Sequence, residues 1–313
     1  MPILQTLKGA VSTDSLGLML PHEHLFVDLR GPFAPNYGEA EPEAVYNLVK
    51  PYLEAAEAAG VTAFVDCAPV GVGRNIAVLK YIADRTPIHI IVPTGVYKEG
   101  FVPTDWLDLS AEALADLWIR ELTEGIEGTG IKAGFIKVAL IDDGPTAIEA
   151  RNLRAAAIAS KATGAVIGSH TIGGKAARAE LDILEQAGQD LSRFIWIHAH
   201  TEADTSIHLE AARRGAWIEF DAIGADTWFP EQDKLVDFTL NLMESGYSDQ
   251  ILLSHDAGWY DVGSPKGVPQ PDGYRGYTAL VDQFIPALRA RGLSEADIRQ
   301  LTVLNPARAF AIG

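Results

Sequence analysis

The segment AGFIKVAL, residues 133–140, is a short apolar run, and AVIGSHT, residues 165–171, is a second one. Between them, residues 147–162 are rich in alanine and carry apolar side chains with the period of a helix. A strand, a helix and a strand in this order form a βαβ unit, whose two strands lie parallel in one sheet. This part of the chain therefore predicts an α/β fold with a parallel sheet.

The alternation of strand and helix patterns continues over the whole 313-residue chain. Predicted strands cover residues 17–25, 62–69, 89–97, 133–140, 165–171, 194–201, 217–224 and 251–257. Predicted helices cover residues 43–59, 76–85, 110–125, 147–162, 175–187, 205–214, 231–245 and 278–289. This is the element count of a (β/α)8 TIM barrel, and we expect a single barrel domain over residues 1–313. A doubly wound dinucleotide fold is rejected because the glycine-rich segment 71–75 lacks the third glycine of that fingerprint.

The composition excludes several classes of protein. The chain has 25 Lys and Arg residues against 42 Asp and Glu residues, and its formal net charge of −17 opposes nucleic-acid binding. Cys67 is the single cysteine, so no intrachain disulfide is expected. The sequence contains no apolar run long enough to cross a membrane and no signal-peptide pattern over residues 1–20. We therefore expect a cytoplasmic protein with a small-molecule partner and no nucleic-acid or membrane partner.

A homodimer is an open expectation for the assembly. The helical segment 43–59 is rich in alanine, which suits packing against a second subunit, and dimers are the commonest soluble assembly.

The first predicted strand carries His22-Glu23-His24. Side chains alternate along a strand, so both imidazoles lie on one face and Glu23 points to the other. Two imidazoles at this spacing can bind one metal ion together. On this motif alone, two hydrogen-bonded histidines at a polar barrel mouth explain the pattern equally well.

Four other predicted strands carry a polar side chain toward their carboxyl ends. These side chains are Lys137, His170, His198 and Asp256, on strands 4, 5, 6 and 8. The carboxyl ends of barrel strands meet at one face, where the active sites of such barrels are built. A buried histidine with satisfied hydrogen bonds explains any one position, but the convergence of five strands favours a common site.

Lys137 is the most informative of these residues because its neighbours Phe135, Ile136 and Val138 predict a buried strand. An unpaired ammonium is costly to bury, so we expect the neutral amine to be favoured there. A neutral amine can add carbon dioxide and become a carbamate, which can bridge two cations. The side chain could instead reach solvent or form a Schiff base with a carbonyl substrate.

In their order along the chain, these motifs resemble the phosphotriesterase-like branch of the amidohydrolase superfamily, which includes phosphotriesterases and phosphotriesterase-like lactonases. The resemblance covers nearly the whole chain. The matching pieces are Pro21-His22-Glu23-His24, the strand 4 segment at 133–138, Ser169-His170-Thr171, the strand 6 histidine, Ser254-His255-Asp256 and Asn305-Pro306-Ala307-Arg308.

The resemblance implies a binuclear metal site. His22, His24 and Asp256 would hold the buried ion, and His170 and His198 the more exposed one. Carboxylated Lys137 and a hydroxide would bridge the two divalent ions, of which zinc is the first expectation and manganese, cobalt or iron the alternatives. The hydroxide would attack the substrate, and Asp256 would accept its proton as a catalytic residue.

The resemblance also suggests the substrate. Tyr97, at the end of strand 3, matches a tyrosine that lactonases of the family place beside the metals, although a tyrosine in this place also serves for packing alone. Tyr97 is therefore a second expected catalytic residue and favours lactones. The expected substrate-binding wall consists of Tyr97, Lys98, Phe26, Trp228, Phe229, Trp259 and Tyr260.

Two positions depart from the family's proton relay. Thr201 stands where the family has an aspartate, and Ala222 follows the strand 7 aspartate, Asp221, where a histidine or arginine is usual. Glu202, Asp204 or His200 could replace the missing partners. His200 is also predicted to share a strand face with His198, and we prefer His198 as the ligand because its spacing to Gly215 fits the family better.

The sequence thus predicts a metal-dependent hydrolase that opens lactones or related carboxyl esters, with phosphotriesters as a side activity. Three alternatives stay open. The substrate could be a phosphorylated sugar lactone bound through Lys98 or Arg74. Lys137 could instead serve a Schiff-base lyase, or the barrel could bind a small molecule without turnover.

Overall fold

The strands of the computed structural model follow the apolar runs of the sequence, and the structure describes residues 2–225, 231–270 and 273–312. The strands are β1 Ile3–Thr6, β2 Gly9–Ser12, β3 Leu18–Val27, β4 Val61–Asp66, β5 His89–Ile91, β6 Pro93–Gly95, β7 Phe135–Ala139, β8 Ile167–His170, β9 Phe194–Ile197, β10 Trp217–Phe220, β11 Ile251–Leu253 and β12 Gly258–Asp261.

The helices alternate with these strands. They are α1 Pro42–Ala58, α2 Ile76–Ala83, α3 Ala111–Thr123, α4 Ala147–Thr163, α5 Gly174–Gln186, α6 Thr205–Arg213, α7 Gln232–Glu244, α8 Ile285–Ala290, α9 Glu295–Arg299 and α10 Asn305–Phe310. Two π-helical turns, Leu280–Phe284 and Gln300–Leu304, precede α8 and α10. In the described part of the chain, no helix is both long and apolar enough to span a membrane.

Parallel pairing builds a TIM barrel, which confirms the predicted fold. β3, β4 and β5 pair in order, and β6 to β11 pair in order, with β5 and β6 forming two parts of the third barrel strand. The barrel closes between the eighth and first strands: the Asp256 amide donates to the His22 carbonyl at 3.2 Å, and the His24 amide to the Ala257 carbonyl at 3.0 Å. β12 then continues alongside β3 in parallel.

Side chains on the barrel strands alternate between two apolar clusters. In β4, Phe64 packs in the cluster between sheet and helices, while Val65 belongs to the cluster inside the barrel. Phe310 of α10 joins the interior cluster and packs edge-to-face on Phe135, at the start of β7, with ring centroids 5.2 Å apart. Each such buried side chain contributes about 1.5–3 kcal/mol, so the amino-terminal half of the interior is a packed core. The carboxyl-terminal half is left for polar residues.

The structure corrects one strand boundary that matters for the site. The sixth barrel strand, predicted over residues 194–201, ends at Ile197. His198 adopts a left-handed backbone with φ 66°, and Ala199–Thr201 form a 3-10 turn. The prediction that His198 and His200 share a strand face is therefore wrong, because the chain has already left the strand.

Candidate metal centre

The carboxyl ends of the barrel strands surround a cavity of about 150 Å³. Its polar lining contains six of the residues predicted to form a site on these strands. These are His22, His24, Lys137, His170, His198 and Asp256, together with Tyr97. The predicted convergence of five strands at one face is thus present in the structure.

The first and eighth strands supply a tight group of three side chains. One carboxylate oxygen of Asp256, Oδ1, lies 3.3 Å from Nε2 of His22 and 3.1 Å from Nε2 of His24. Asp256 has a left-handed backbone with φ 48°, which turns its side chain toward the histidines. The ligand atoms of these three residues all lie within 4.8 Å of one another, as around a single ion.

Glu23, between the two histidines, points away from them as the strand period predicts. Its buried carboxylate accepts hydrogen bonds from the Ser254 hydroxyl at 2.7 Å and from the amides of His255 and Ala257, each at 3.1 Å. The ring of His255 adds a further contact at 2.5 Å. Glu23 therefore fixes the backbone on both sides of Asp256.

The fifth and sixth strands supply a second group. Nε2 of His198 lies 2.8 Å from Nδ1 of His170, and the Tyr97 hydroxyl lies 3.3 Å from the same His170 nitrogen. On its other side, Nδ1 of His198 bonds Asp221 at 2.9 Å. Ring nitrogens supported by a carboxylate in this way are typical of metal-ligating histidines.

Lys137 lines the same cavity, with 2% of its surface exposed. Within the described residues, no carboxylate forms an ion pair with its amine. Its strand runs close to Gly95, where a Cβ would lie 1.9 Å from the Lys137 carbonyl oxygen, so position 95 admits glycine. The amine therefore lies buried in a cavity lined by histidines, without a carboxylate counterion among the described residues.

Burial and neighbouring charges set the protonation of the site. Burial alone would raise the pKa of Asp256, but the rings of His22 and His24 hold it well below its usual range. Burial, and then the neighbouring His198, hold the pKa of His170 well below the ordinary histidine value. Burial also lowers the pKa of His198. Asp256 is thus a carboxylate, and His170 and His198 are neutral imidazoles, which are the forms that bind metal ions. Burial alone would lower the pKa of His22, but Cys67 and the carboxylates of Asp256 and Asp221 raise it well above the usual histidine value.

Two buried acids behind His22 were not predicted together. Glu219 and Asp221 lie 2.8 Å and 3.0 Å from Nδ1 of His22. Burial raises the pKa of Glu219 to about 8, whereas His198 and His22 hold the pKa of Asp221 well below its usual range despite burial. The signal for Glu219 was available, since it precedes Asp221 by two residues in the predicted strand 217–224, where alternate side chains share a face.

The structure revises the predicted substrate wall. Tyr97 and Trp259 line the cavity, but Phe26 and Tyr260 do not. Phe26 and Tyr260 are partners in the β3–β12 register and stack at 6.1 Å on the outer face of the barrel. Their alternation places the adjacent residues, Val27 and Trp259, on the cavity side.

Of the remaining wall residues, one lies outside the cavity lining and two lie outside the described part of the chain. Lys98 is outside the lining, with its amine 3.5 Å from Asp142. Trp228 and Phe229 lie outside the described residues. Val27, Leu29, Cys67 and Val72 were missed. Val27 ends β3 and Cys67 follows β4, whereas Leu29 and Val72 lie in loops, which carry no period that would reveal them.

The residues at the two positions that depart from the family's proton relay have structural roles or are buried. The Thr201 hydroxyl donates to the His198 carbonyl at 2.7 Å and stabilises the left-handed turn, and Ala222 is buried. Glu202 accepts from the Gly174 amide at 2.9 Å, and Asp204 caps α6. Of the three proposed replacements, His200 contacts Asp221, at 3.1 Å. His198 lines the cavity and His200 does not.

The donor set fits metal ions. Imidazole nitrogens and carboxylate oxygens are ligands of zinc and its neighbours in the first transition row. Nε2 of His22 and Nε2 of His24 face a single carboxylate oxygen of Asp256, an arrangement that a cation between them would satisfy. A metal site of this kind at the carboxyl face of a TIM barrel is suited to metal-assisted hydrolysis.

Comparison with known proteins identifies the family. The model of the phosphotriesterase family matches residues 2–310, and the chain belongs to this family, whose members use two metal ions. A phosphotriesterase homology protein of Mycobacterium tuberculosis is 34% identical over 99% of this chain and 98% of its own length. An aryldialkylphosphatase of Saccharolobus solfataricus is 31% identical over 97% of this chain and 98% of its own length.

A solved structure agrees with these relatives. A variant of a phosphotriesterase-like lactonase of Deinococcus radiodurans superposes with a TM-score of 0.88 at 34% identity, covering 98% of this chain and 99% of that chain. The chain is therefore a metal-dependent hydrolase, as its sequence predicts.

Proposed function

We propose that this hydrolase opens lactones or related carboxyl esters with two divalent metal ions. His22, His24 and Asp256 hold the buried ion, and His170 and His198 hold the second. Lys137, if carboxylated on its amine, would supply a further anionic ligand for these ions. Zinc fits this donor set first, and manganese, cobalt or iron fit it as well.

One observation carries the metal assignment. Nε2 of His22 and Nε2 of His24 converge on one oxygen of Asp256, at 3.3 and 3.1 Å, in the same cavity as the His170–His198 pair. The Lys137 amine in this cavity has no carboxylate partner among the described residues. Two cations and a carbamate would account for both facts, because a carbamate would replace an unpaired ammonium by an anion that can bind cations.

The residues have distinct roles in the reaction. Two bound ions supply an activated water nucleophile and polarise the substrate's carbonyl oxygen. Asp256 stands at the ligand cluster with its carboxylate ionised, so its oxygen can hold the proton that the nucleophile loses. Glu23 keeps Asp256 in place through the amides on either side of it.

Tyr97 and the cavity wall support a lactone as the substrate. Burial, and then the charge of Asp256, raise the pKa of Tyr97 far above its usual value, so its hydroxyl remains a hydrogen-bond donor. It lies beside His170, where it can donate to an oxygen of the opening ring. The side chains of Val27, Leu29, Val72 and Trp259 offer apolar surface for an acyl chain. The lactonase from Deinococcus radiodurans supports the same substrate class.

The alternatives have weaker support. Arg74, one of two cations suggested for a phosphorylated lactone, is buried and bound by both nitrogens to Glu121 at 2.6 and 2.7 Å. A phosphotriester side activity is supported by the relative from Saccharolobus solfataricus. A Schiff-base lyase would leave the ligand cluster around Lys137 without a role.

The test is a substrate panel on protein loaded with zinc. We expect the highest kcat/KM for lactones with an apolar side chain, lower values for open-chain esters, and the lowest for an aryl dialkyl phosphate triester. The Asp256→Asn variant is the matched control, because it keeps the side-chain volume and loses the charge. Faster turnover of the phosphotriester than of every lactone would contradict the proposal.

A further inference from the structure

The chain that follows β12 returns to the metal centre and touches its backbone. Nη2 of Arg275 donates to the His255 carbonyl at 3.0 Å and to the Asp256 carbonyl at 2.5 Å. Two residues later, the Tyr277 hydroxyl donates to the His24 carbonyl at 2.7 Å. Two of the three residues in the first ligand group, His24 and Asp256, are therefore held through their carbonyls by this segment.

The backbone at Asp256 needs such support. β11 ends at Leu253 and β12 begins at Gly258, so Asp256 lies in an irregular stretch between strands. Its left-handed φ of 48° is a conformation that aspartate adopts at a cost in free energy. Its amide is bonded to the His22 carbonyl, and Arg275 completes the backbone bonding on the carbonyl side.

Arg275 is unlike the surface arginines of this chain. Arg291 pairs with Asp237 at 2.8 Å, and Arg289 pairs with Glu295 at 2.7 Å. Arg275 forms no ion pair within the described residues, and its Nη1 is buried without a hydrogen-bond partner. Arg151 also donates to backbone carbonyls, since one planar guanidinium can bridge neighbouring peptide oxygens, but the peptide that Arg275 bridges is that of Asp256 in the ligand group.

We infer that Arg275 is a positioning residue for the metal centre: it fixes the peptide of Asp256 so that the carboxylate meets His22 and His24. This inference rests on the proposed function, since it takes Asp256 as a metal ligand. Tyr277 acts in the same way on His24. Gly258 makes room for this phenol, because a Cβ there would lie 2.1 Å from the Tyr277 oxygen.

The experiment measures zinc binding rather than turnover. Metal-free wild type, Arg275→Met and Arg275→Lys are titrated with zinc in competition with a chromophoric chelator, and Tm is recorded with and without zinc. Arg291→Met is the matched control, since it removes an arginine from a surface ion pair. A residue that supports a ligand from behind costs roughly 10–100-fold in metal affinity when removed.

We expect Arg275→Met to lose affinity in that range and to gain less Tm on zinc addition than the wild type. Arg275→Lys keeps the charge and can bond to one carbonyl, so its zinc affinity should lie between that of the wild type and that of Arg275→Met. If Arg275→Met does not fold, Arg275→Lys alone tests the inference. Wild-type affinity in both variants, or an equal loss of Tm with and without zinc, would overturn the inference alone. Absence of zinc binding by the wild type would overturn the proposed function as well.

Discussion

The ligand Asp256, in the half of the site on the first and eighth strands (the firm half), has more supporting bonds than the ring of His170, in the half on the fifth and sixth strands (the loose half). In the loose half, His198 is supported by Asp221. Asp256 and its neighbours are bonded by Glu23, by the backbone of strand 1 and by Arg275. His170, by contrast, contacts His198 and Tyr97 through single side-chain interactions of 2.8 and 3.3 Å. We infer that the first half is preorganised for its ion and that the second depends more on the ion itself.

The largest loss of activity is expected when a ligand of the firm half is removed. Asp256→Ala removes an anion that faces both His22 and His24, and activity should fall by more than the roughly 100-fold that loss of a supporting residue costs. Steady-state kinetics with a lactone would measure the change. Asp233→Ala, on the surface of α7, is the control and should keep wild-type activity. Loss of a supporting residue costs at least about tenfold, so an Asp256→Ala variant with more than a tenth of wild-type activity would contradict the role of Asp256 as a ligand.

The loose half should lose its ion more selectively. In His170→Ala the group of His22, His24 and Asp256 stays intact, so one metal ion per chain should remain while the second is lost. Elemental analysis after gel filtration gives the count. Loss of both ions in His170→Ala, with retention of one in His22→Ala, would reverse the proposed order of stability.

A buried acid behind the loose half should make stability depend on pH. Burial raises the pKa of Glu180 from 4.5 to about 8, and Thr171, next to His170, donates to it at 2.7 Å. Because the folded state holds this proton more tightly, its contribution is full below pH 4.5 and is lost as the pH rises through about 8. The free energy of unfolding should fall by at most about 1.4 kcal/mol per pH unit in that window. Urea unfolding at several pH values should show a flatter dependence in Glu180→Gln, and an identical slope in both proteins would rule this out.

The smallest loss of activity is expected from a change at Tyr97, which lies beside His170 in the loose half. Tyr97→Phe removes a hydroxyl and keeps the ring, so kcat/KM for lactones should fall about three- to tenfold, the range for one neutral hydrogen bond. Turnover of an aryl dialkyl phosphate should change less, because no ring oxygen is released. Equal losses for both substrates would show that Tyr97 does not favour lactones.

The sequence predicted the parts of the site that depend on strand period. His22, His24 and Lys137 lie where alternation along a regular strand places them, and the barrel brings their strands together. The alternation of side chains did not predict positions where a strand ends or changes face. His198 lies in a left-handed turn after its strand, and Phe26 faces outward while Val27 faces the cavity. Arg275 was not predicted because its position depends on the path of an irregular segment, for which a single sequence carries no periodic signal.

The most direct test of the central claim is the number of metal ions per chain. The protein would be produced with added zinc and bicarbonate, kept from chelators and compared with Lys137→Ala and with Lys161→Ala, whose lysine lies on the outer surface of α4. We predict two ions in the wild type and in Lys161→Ala, and a sharp fall in Lys137→Ala, because the carbamate that joins the ions cannot form. An unchanged count in Lys137→Ala, or no metal in the folded wild type, would contradict the account.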